Sequence, residues 1–235
     1  MKIIDFYWVS KNRFNSEKHY LKFQQFQAEW ILDRLNLKET LRGKKVLDLA
    51  CGNGGYTFEL SKYADLVYAL DLHISRNFNK SNIIPIEADA LDIPIEDNSI
   101  DFVFCSSLIE HVTDQNRLVS EINRILVPDG ICYLSTIPWY CPLAGHGFKP
   151  FHLLGYRLAV KLSKIFYGKD EEKLKTAWCD WGLYPITLKE IKKLARKNNL
   201  KILNMTSRWI PLNIAKIPYL NEVFAGHVEF ILQIK

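Results

Sequence analysis

The sequence predicts an α/β chain built on a doubly wound, mainly parallel sheet with helices on both faces, and three observations carry that prediction. Apolar runs at 46–50, 66–72, 83–90, 100–105 and 131–137 recur along the chain, with helix-compatible stretches at 56–64 and 118–126 between them. Such alternation builds parallel strands through helical crossovers. The first run breaks into Cys51-Gly-Asn-Gly-Gly55, and the second carries Asp71 near its end. Strand, glycine turn, helix and then an acidic residue one strand further on is how doubly wound sheets hold a nucleotide-like ligand at the strand ends.

The stretch 44–55, Lys-Lys-Val-Leu-Asp-Leu-Ala-Cys-Gly-Asn-Gly-Gly, organises the rest. Glycines let backbone approach a ligand closely, and the opening helix turns its first N–H groups toward the same place. Ala50, Gly52 and Gly55 fit a dinucleotide fingerprint whose first glycine is replaced, so the glycines alone leave two cofactor classes open. Asp48 is the discriminating residue, because a carboxylate inside an apolar strand is costly unless it accepts hydrogen bonds. Alanine at position 50 implies a backbone that does not need the left-handed region. Asp71 lies 23 residues beyond Asp48, where an acidic side chain reaches ribose hydroxyls in both classes.

Composition narrows the class. At 235 residues, with 48% hydrophobic and 24% charged residues, the chain suits one large globular domain or one domain with an insertion. There is no apolar run of about 18 residues, and the first ten carry no signal-peptide pattern, which predicts a cytoplasmic protein. Five cysteines without a Cys-x-x-Cys pair argue against a disulfide framework or a zinc site. A net charge of +5 permits an anionic partner without demanding one.

Residues 16–36 predict an amphipathic helix that buries Phe23, Phe26 and Trp30, and a segment lying before the first strand is also placed to cover a cofactor cleft. Leu118, Val119, Ile122, Ile125 and Leu126 keep helical spacing, with Pro128-Asp-Gly130 as the stop. Thr187 and Glu190 form a capping box for a helix through Asn198. Residues 201–207 and 227–234 suit two further strands.

Asp48-Leu-Ala50-Cys-Gly52-Asn-Gly54 resembles the Asp-x-Gly-x-Gly-x-Gly motif of class I S-adenosylmethionine (SAM) methyltransferases, with Ala50 at the first glycine. The stretches 91–103 and 121–130 are similar to the broad small-molecule and quinone-type group of that family. The resemblance runs from 44 to 137 and returns from 187 to 208. It implies a Rossmann-like sheet of seven strands with the last antiparallel, SAM as cofactor, and S-adenosylhomocysteine as product. It also implies a cofactor site of Asp48, Ala50, Cys51, Gly52, Asn53 and Gly54 around the turn, Asp71 with Leu72 at the second strand end, Asp89 with Ala90 at the third, and Ser106 at the fourth.

Ser106 leads into Ser107-Leu-Ile-Glu110-His111. A related pattern, Glu-x-x-Glu-His, binds magnesium in small-RNA 3′-terminal methyltransferases and some quinone-pathway enzymes. Ser107 removes the first carboxylate here, so no metal is expected. His111 is a candidate general base, as are His146 and His152 within Gly145-His-Gly-Phe-Lys-Pro-Phe-His152, and each is also readable as a packing or surface histidine. The expected organisation is one domain over 1–235: an N-terminal helical segment at 1–43, a cofactor-binding core at 44–137, an inserted lid at 138–186 and the rest of the sheet at 187–235.

The stretch 138–185 holds 10 of the chain's 30 aromatic residues, a density that marks it as the specificity element, with Trp139, Tyr140 and Phe151 as candidate acceptor contacts. Residues 153–167 predict a helix with Leu154, Leu158, Leu162 and Ile165 on one side and Arg157, Lys161 and Lys164 on another. That pattern fits a lid helix packed on the domain, and it also fits peripheral membrane contact. A second lid element is expected at 209–225.

The expected reaction is methyl transfer to a small-molecule, glycan or lipid-linked acceptor, with O-methylation preferred over N- or C-methylation. Scattered basic residues and the absence of an RNA-binding motif argue against a nucleic-acid substrate. A non-catalytic SAM-binding protein and a nicotinamide oxidoreductase are the competing classes. Against the latter, the Tyr7/Lys11 pair is far from where a short-chain dehydrogenase carries its Tyr-x-x-x-Lys.

Overall fold

The computed structural model describes residues 10–13, 15–74, 78–175, 178, 182–208 and 213–235. Tyr7, Trp181 and positions 209–212 of the second expected lid lie outside them. Seven strands are present: β1 (Lys45–Leu49), β2 (Leu66–Asp71), β3 (Ile83–Glu87), β4 (Ile100–Ser106), β5 (Leu126–Thr136), β6 (Leu200–Ser207) and β7 (Val228–Ile234). They form one sheet in the order β3-β2-β1-β4-β5-β7-β6. β1 pairs parallel with β2 and β2 with β3, whereas β7 is antiparallel to both β5 and β6. The described helices are α1 (Glu17–Arg34), α2 (Lys38–Leu41), α3 (Gly55–Leu60), α4 (Gln115–Ile125), α5 (Tyr156–Tyr167), α6 (Glu171–Lys175), α7 (Leu188–Lys197) and α8 (Leu220–Phe224).

The chain folds as two compact units, residues 1–104 with 124–130, and residues 105–123 with 131–235. In the first, Leu47, Leu49, Val67, Leu70, Phe102 and Phe104 are buried. These near-continuous apolar strands are what a sheet covered on both faces requires. The entry to β1 is fixed by Asp101, whose carboxylate accepts the Lys45 N–H at 2.9 Å and pairs with Lys44 Nζ at 3.1 Å. α1 starts at Ser16, whose hydroxyl oxygen accepts the His19 N–H, and it buries Ala28, Ile31 and Leu32. Phe23, Phe26 and Trp30 are half-buried, because the inward stripe is offset from the aromatic one.

α3 ends at Leu60, earlier than the predicted 64, so it is barely more than one turn and a half. α4 also stops before Pro128-Asp-Gly130. Its last carbonyls, on Arg124 and Ile125, accept the N–H groups of Asn98 and Ser99 at 3.0 and 2.9 Å, and β5 begins at Leu126. Helix ends terminate where an outside donor satisfies the orphan carbonyls, and the neighbouring loop supplies them here before the proline is reached.

In the second unit the capping box forms as predicted: the Glu190 N–H donates to Thr187 Oγ1 at 3.1 Å and the Thr187 N–H to Glu190 Oε2 at 2.8 Å. Glu222 adds a second carboxylate at that helix start, accepting the Leu188 and Lys189 N–H groups. The insertion has a small core of its own, with Phe148, Ala159, Leu174 and Leu183 buried and Trp139, Phe151, Val160 and Trp178 packed around them. α5 departs from the packed-lid expectation. It buries Ala159 and Ser163, while Leu154, Leu158 and Ile165 are exposed and Leu162 is half-buried. The small residues are the ones that fit closely against the aromatic core.

Candidate active site

The glycine turn and the second-strand aspartate lie in the first unit. β1 leaves the sheet through three left-handed positions, Ala50 (φ 64°), Gly52 (φ 50°) and Gly54 (φ 77°). The expectation for Ala50 is therefore corrected. The strand must turn sharply at that point, and the chain holds an alanine where its Cβ crowds the following carbonyl, at roughly 1 kcal/mol. The glycines that follow have distinct reasons. A Cβ on Gly54 would meet the Phe78 ring at 2.4 Å, and one on Gly55 would meet Gln24 Cβ of α1 at 2.3 Å. A Cβ on Gly52 would find nothing within 4 Å, so that turn opens onto space.

Asp71 and the turn are tied directly: the Gly52 N–H donates to Asp71 Oδ2 at 2.8 Å, and the Cys51 N–H to the Leu70 carbonyl at 2.9 Å. Asp48 is buried, and its Oδ2 accepts the Thr57 hydroxyl at 2.6 Å. Burial lifts its carboxyl to about 7, opposed by the Thr57 hydrogen bond and reinforced by the nearby Asp71 charge. Burial likewise raises the Cys51 thiol, which suits a packed side chain whose backbone lines the turn. Asn53 is half-buried and Leu72 exposed beside Asp71. Asp89 is exposed and accepts the Leu91 N–H at 2.9 Å, while Ala90 is buried. α1 covers the turn: Tyr56 Oη donates to Gln27 Oε1 at 3.0 Å, and the buried Gln24 Oε1 has no hydrogen-bond partner in the protein.

The second unit carries a polar cluster at the end of β4. Ser106 Oγ lies 3.0 Å from Ser135 Oγ, and Ser107 takes a left-handed backbone, φ 55°. The short 3-10 turn Ile109–His111 follows. Glu110 is buried, and its Oε2 accepts the Thr136 hydroxyl at 2.8 Å. Burial raises its carboxyl, against the pull of His111. His111 Nδ1 meets the Gly182 carbonyl at 2.7 Å. A carbonyl can only accept, so Nδ1 carries the proton and Nε2 the lone pair.

The three expected histidines separate. His111 and His146 meet, ring centroids 4.8 Å apart, with His146 on a left-handed backbone of φ 46°. His152 lies fully buried, with Nε2 donating to the Trp139 carbonyl at 2.9 Å. Burial lowers its pKa and keeps it neutral. It sits where a Cβ on Gly145 would be, 2.3 Å from Nδ1, and so supports the loop that presents His146. Of the aromatic candidates, Trp139 packs edge-on against His152 at 5.0 Å and Phe151 against Phe166 at 5.5 Å, whereas Tyr140 is exposed.

Ligand atoms of Glu110, His111 and His146 all lie within 4.8 Å of one another. Two imidazoles and one carboxylate do not fit magnesium, which favours several oxygen ligands, and Ser107 holds the place of the missing carboxylate.

Sequence reasoning missed the buried charge beside this cluster. Arg208 Nε pairs with Glu229 Oε1 at 2.9 Å, and its Nη2 donates to Tyr133 Oη at 2.6 Å and Ser135 Oγ at 2.8 Å. His227 Nε2 lies 3.1 Å from Ser135 Oγ, and burial with the Arg208 charge pushes its pKa well down. Arg208 stands one residue past the predicted strand, and only pairing of β6 with β7 brings it to Glu229.

A seven-stranded α/β sheet with a glycine turn closed by the second-strand aspartate defines the class I methyltransferase fold. Residues 47–134 match the methyltransferase-domain family, Methyltransf_11. The chain is a SAM-dependent methyltransferase, and SAM is its cofactor. It is similar to the demethylmenaquinone methyltransferases of Staphylococcus carnosus, 25% identical over 84% of this chain and 92% of that protein. For that of Staphylococcus haemolyticus the values are 28%, 84% and 93%. Among solved structures, a SAM-dependent methyltransferase from Mesorhizobium loti superposes with a TM-score of 0.61 at 18% identity, covering 88% of this chain and 97% of that one. One from Aquifex aeolicus gives 0.56 at 14%, covering 98% of each.

Replacing Ala50 by glycine relieves the left-handed alanine. It should raise the unfolding free energy by about 1 kcal/mol, less a few tenths for the extra entropy of the unfolded chain. Chemical denaturation measures the change, and an unchanged or lower midpoint would contradict the strain. Asp48 gives a pH signature. Its ordinary value is 3.8 and its folded value about 7, so between those limits the folded state binds a proton that the unfolded chain does not. The group's contribution to stability therefore falls as pH rises through that window and is lowest above it. In Asp48→Asn this component disappears, so the stability of the variant relative to the parent climbs from pH about 4 to about 7 and then levels. A flat difference across the window would show that Asp48 is not held protonated.

Proposed function

We propose that the chain methylates a small ring-bearing or lipid-linked acceptor at a position activated by loss of a hydroxyl proton, with O-methylation the preferred outcome. The observation that carries this reading is the His111 hydrogen bond to Gly182, which leaves Nε2 as an acceptor beside His146. Bound SAM supplies a methyl group already activated by its sulfonium. The protein's task is to align a nucleophile in line with the S–CH3 bond and to exclude water.

In this reading Asp71 accepts hydrogen bonds from the ribose hydroxyls through the oxygen not taken by the Gly52 N–H, and the open turn at Gly52 and Asn53 receives the methionyl part. Asp48 stands behind the turn, buried and bonded to the Thr57 hydroxyl, and braces it. Asp89 and Ala90 take the adenine edge, and Ser106 orders the end of β4. His111 Nε2 accepts the acceptor's hydroxyl proton as the new O–CH3 bond forms and S-adenosylhomocysteine departs. The buried Glu110 steadies the resulting imidazolium. His146 orients the acceptor, and Tyr140 offers an exposed ring for its apolar part. His152 positions the loop rather than touching substrate.

A second reading is favoured by the names of the staphylococcal relatives. Removing a proton from a ring hydroxyl also makes the adjacent ring carbon nucleophilic, so the same base serves C-methylation of a reduced quinone precursor. NMR of the product separates an O-methyl from a ring methyl.

Two variants test the assignment. Asp71→Ala should weaken SAM binding by about 10- to 100-fold in a calorimetric titration, the worth of charge-assisted hydrogen bonds. Unchanged affinity would remove Asp71 from the site. His111→Asn should leave SAM affinity intact and lower kcat by roughly 10²- to 10⁴-fold on a polyprenyl hydroquinone. An undiminished kcat would exclude His111 as the base.

A further inference from the structure

We propose that α5, with the turn that precedes it, is a docking surface for an anionic lipid bilayer. From residue 131 to residue 169 the chain carries Lys149, Arg157, Lys161, Lys164 and Lys169 and no carboxylate. α5 is held to the protein through Ala159 and Ser163, which are buried. Its other side presents Leu158 and Ile165, 51% and 63% exposed, with Leu154, just before the helix, at 54%. Steps of about 100° per residue place Lys161 beside Leu158 and Ile165, with Arg157 and Lys164 next around the helix. Those three cations are all exposed.

Large aliphatic side chains left in solvent among cations, on a segment without a single acid, match the chemistry of an anionic interface. The apolar groups enter the boundary between headgroups and acyl chains, while lysine and arginine extend along it to the lipid phosphates. α5 has 12 residues, about 18 Å of helix, too short to cross a bilayer. No described helix is long and apolar enough to do so. Contact is therefore in the plane of the surface. This docking stands independently of the acceptor assigned above, although it would bring the enzyme to where a lipid-linked acceptor resides.

Flotation of the full chain with vesicles tests it, using phosphatidylcholine alone and phosphatidylcholine with about one-third phosphatidylglycerol. The protein should float with the anionic vesicles at low ionic strength, stay behind with the neutral ones, and be released as salt rises. Leu158→Glu with Ile165→Glu should abolish flotation. Lys161→Gln with Lys164→Gln should lower the partition coefficient by roughly 10- to 30-fold, about fivefold per cation if they act separately. Calorimetry with SAM, whose expected site uses neither surface, verifies that each variant is folded. Failure of the parent to bind anionic vesicles overturns the proposal. So does equal binding to neutral vesicles, or undiminished binding of the lysine pair. Because the readout is flotation, a wrong acceptor or a wrong base leaves the result untouched.

Discussion

The polar machinery of the second unit depends on the buried ion pair of Arg208 and Glu229. Both side chains are almost completely removed from water, which is tolerable only because nearly every valence is met. Glu229 accepts from Arg208 Nε and the Tyr133 hydroxyl on Oε1 and from the Thr206 hydroxyl on Oε2. Removing one partner of such a pair costs about 3–5 kcal/mol, because the other is stranded. Register makes the network possible: Glu229 lies opposite Ser135 on β5 and Thr206 on β6. Ser135 then links outward to Ser106 and His227, so the hydroxyls at the end of β4 are oriented by an ion pair whose carboxylate lies two strands away, on β7.

The glycine turn shows a different constraint. Its three glycines answer to separate demands: open space at Gly52, the Phe78 ring at Gly54, and α1 at Gly55. Gln24 and Gln27 of α1 approach the first residues of α3, so the segment before β1 is part of the turn's wall, as its position in the chain suggested. The short α3 adds little macrodipole. What the turn offers a ligand is its own backbone amides and the fixed carboxylate of Asp71, already anchored by the Gly52 N–H.

Histidine chemistry divides by burial. His152 and His111 both give one ring nitrogen to a backbone carbonyl, but His152 is sealed among aromatic rings, whereas His111 is half-buried and faces His146. The same hydrogen bond thus holds one as a buried strut and leaves the second ring nitrogen of the other beside His146. The insertion's aromatics divide similarly. Trp139, Phe148 and Trp178 pack on one another, which is why their density in the sequence signals a small core as well as a contact surface.

The sequence by itself determined the strand order of events: apolar runs of the right length, the Asp48 to Gly55 turn, Asp71 at its fixed distance, and the Thr187 capping box. All are local, and local patterns reflect backbone preferences that neighbours seldom overturn. What tertiary structure decided depends on contacts between distant segments. Ala50 is left-handed because β1 must bend toward a turn that Asp71 holds from another strand. α4 ends where Asn98 and Ser99 reach its carbonyls. α5 turns Ala159 and Ser163 inward because the aromatic core leaves no room for larger side chains, so an amphipathic stripe that could have packed faces out. Arg208 and Glu229 carry no local signal in the sequence, and only antiparallel pairing of β6 and β7 places them together inside the protein.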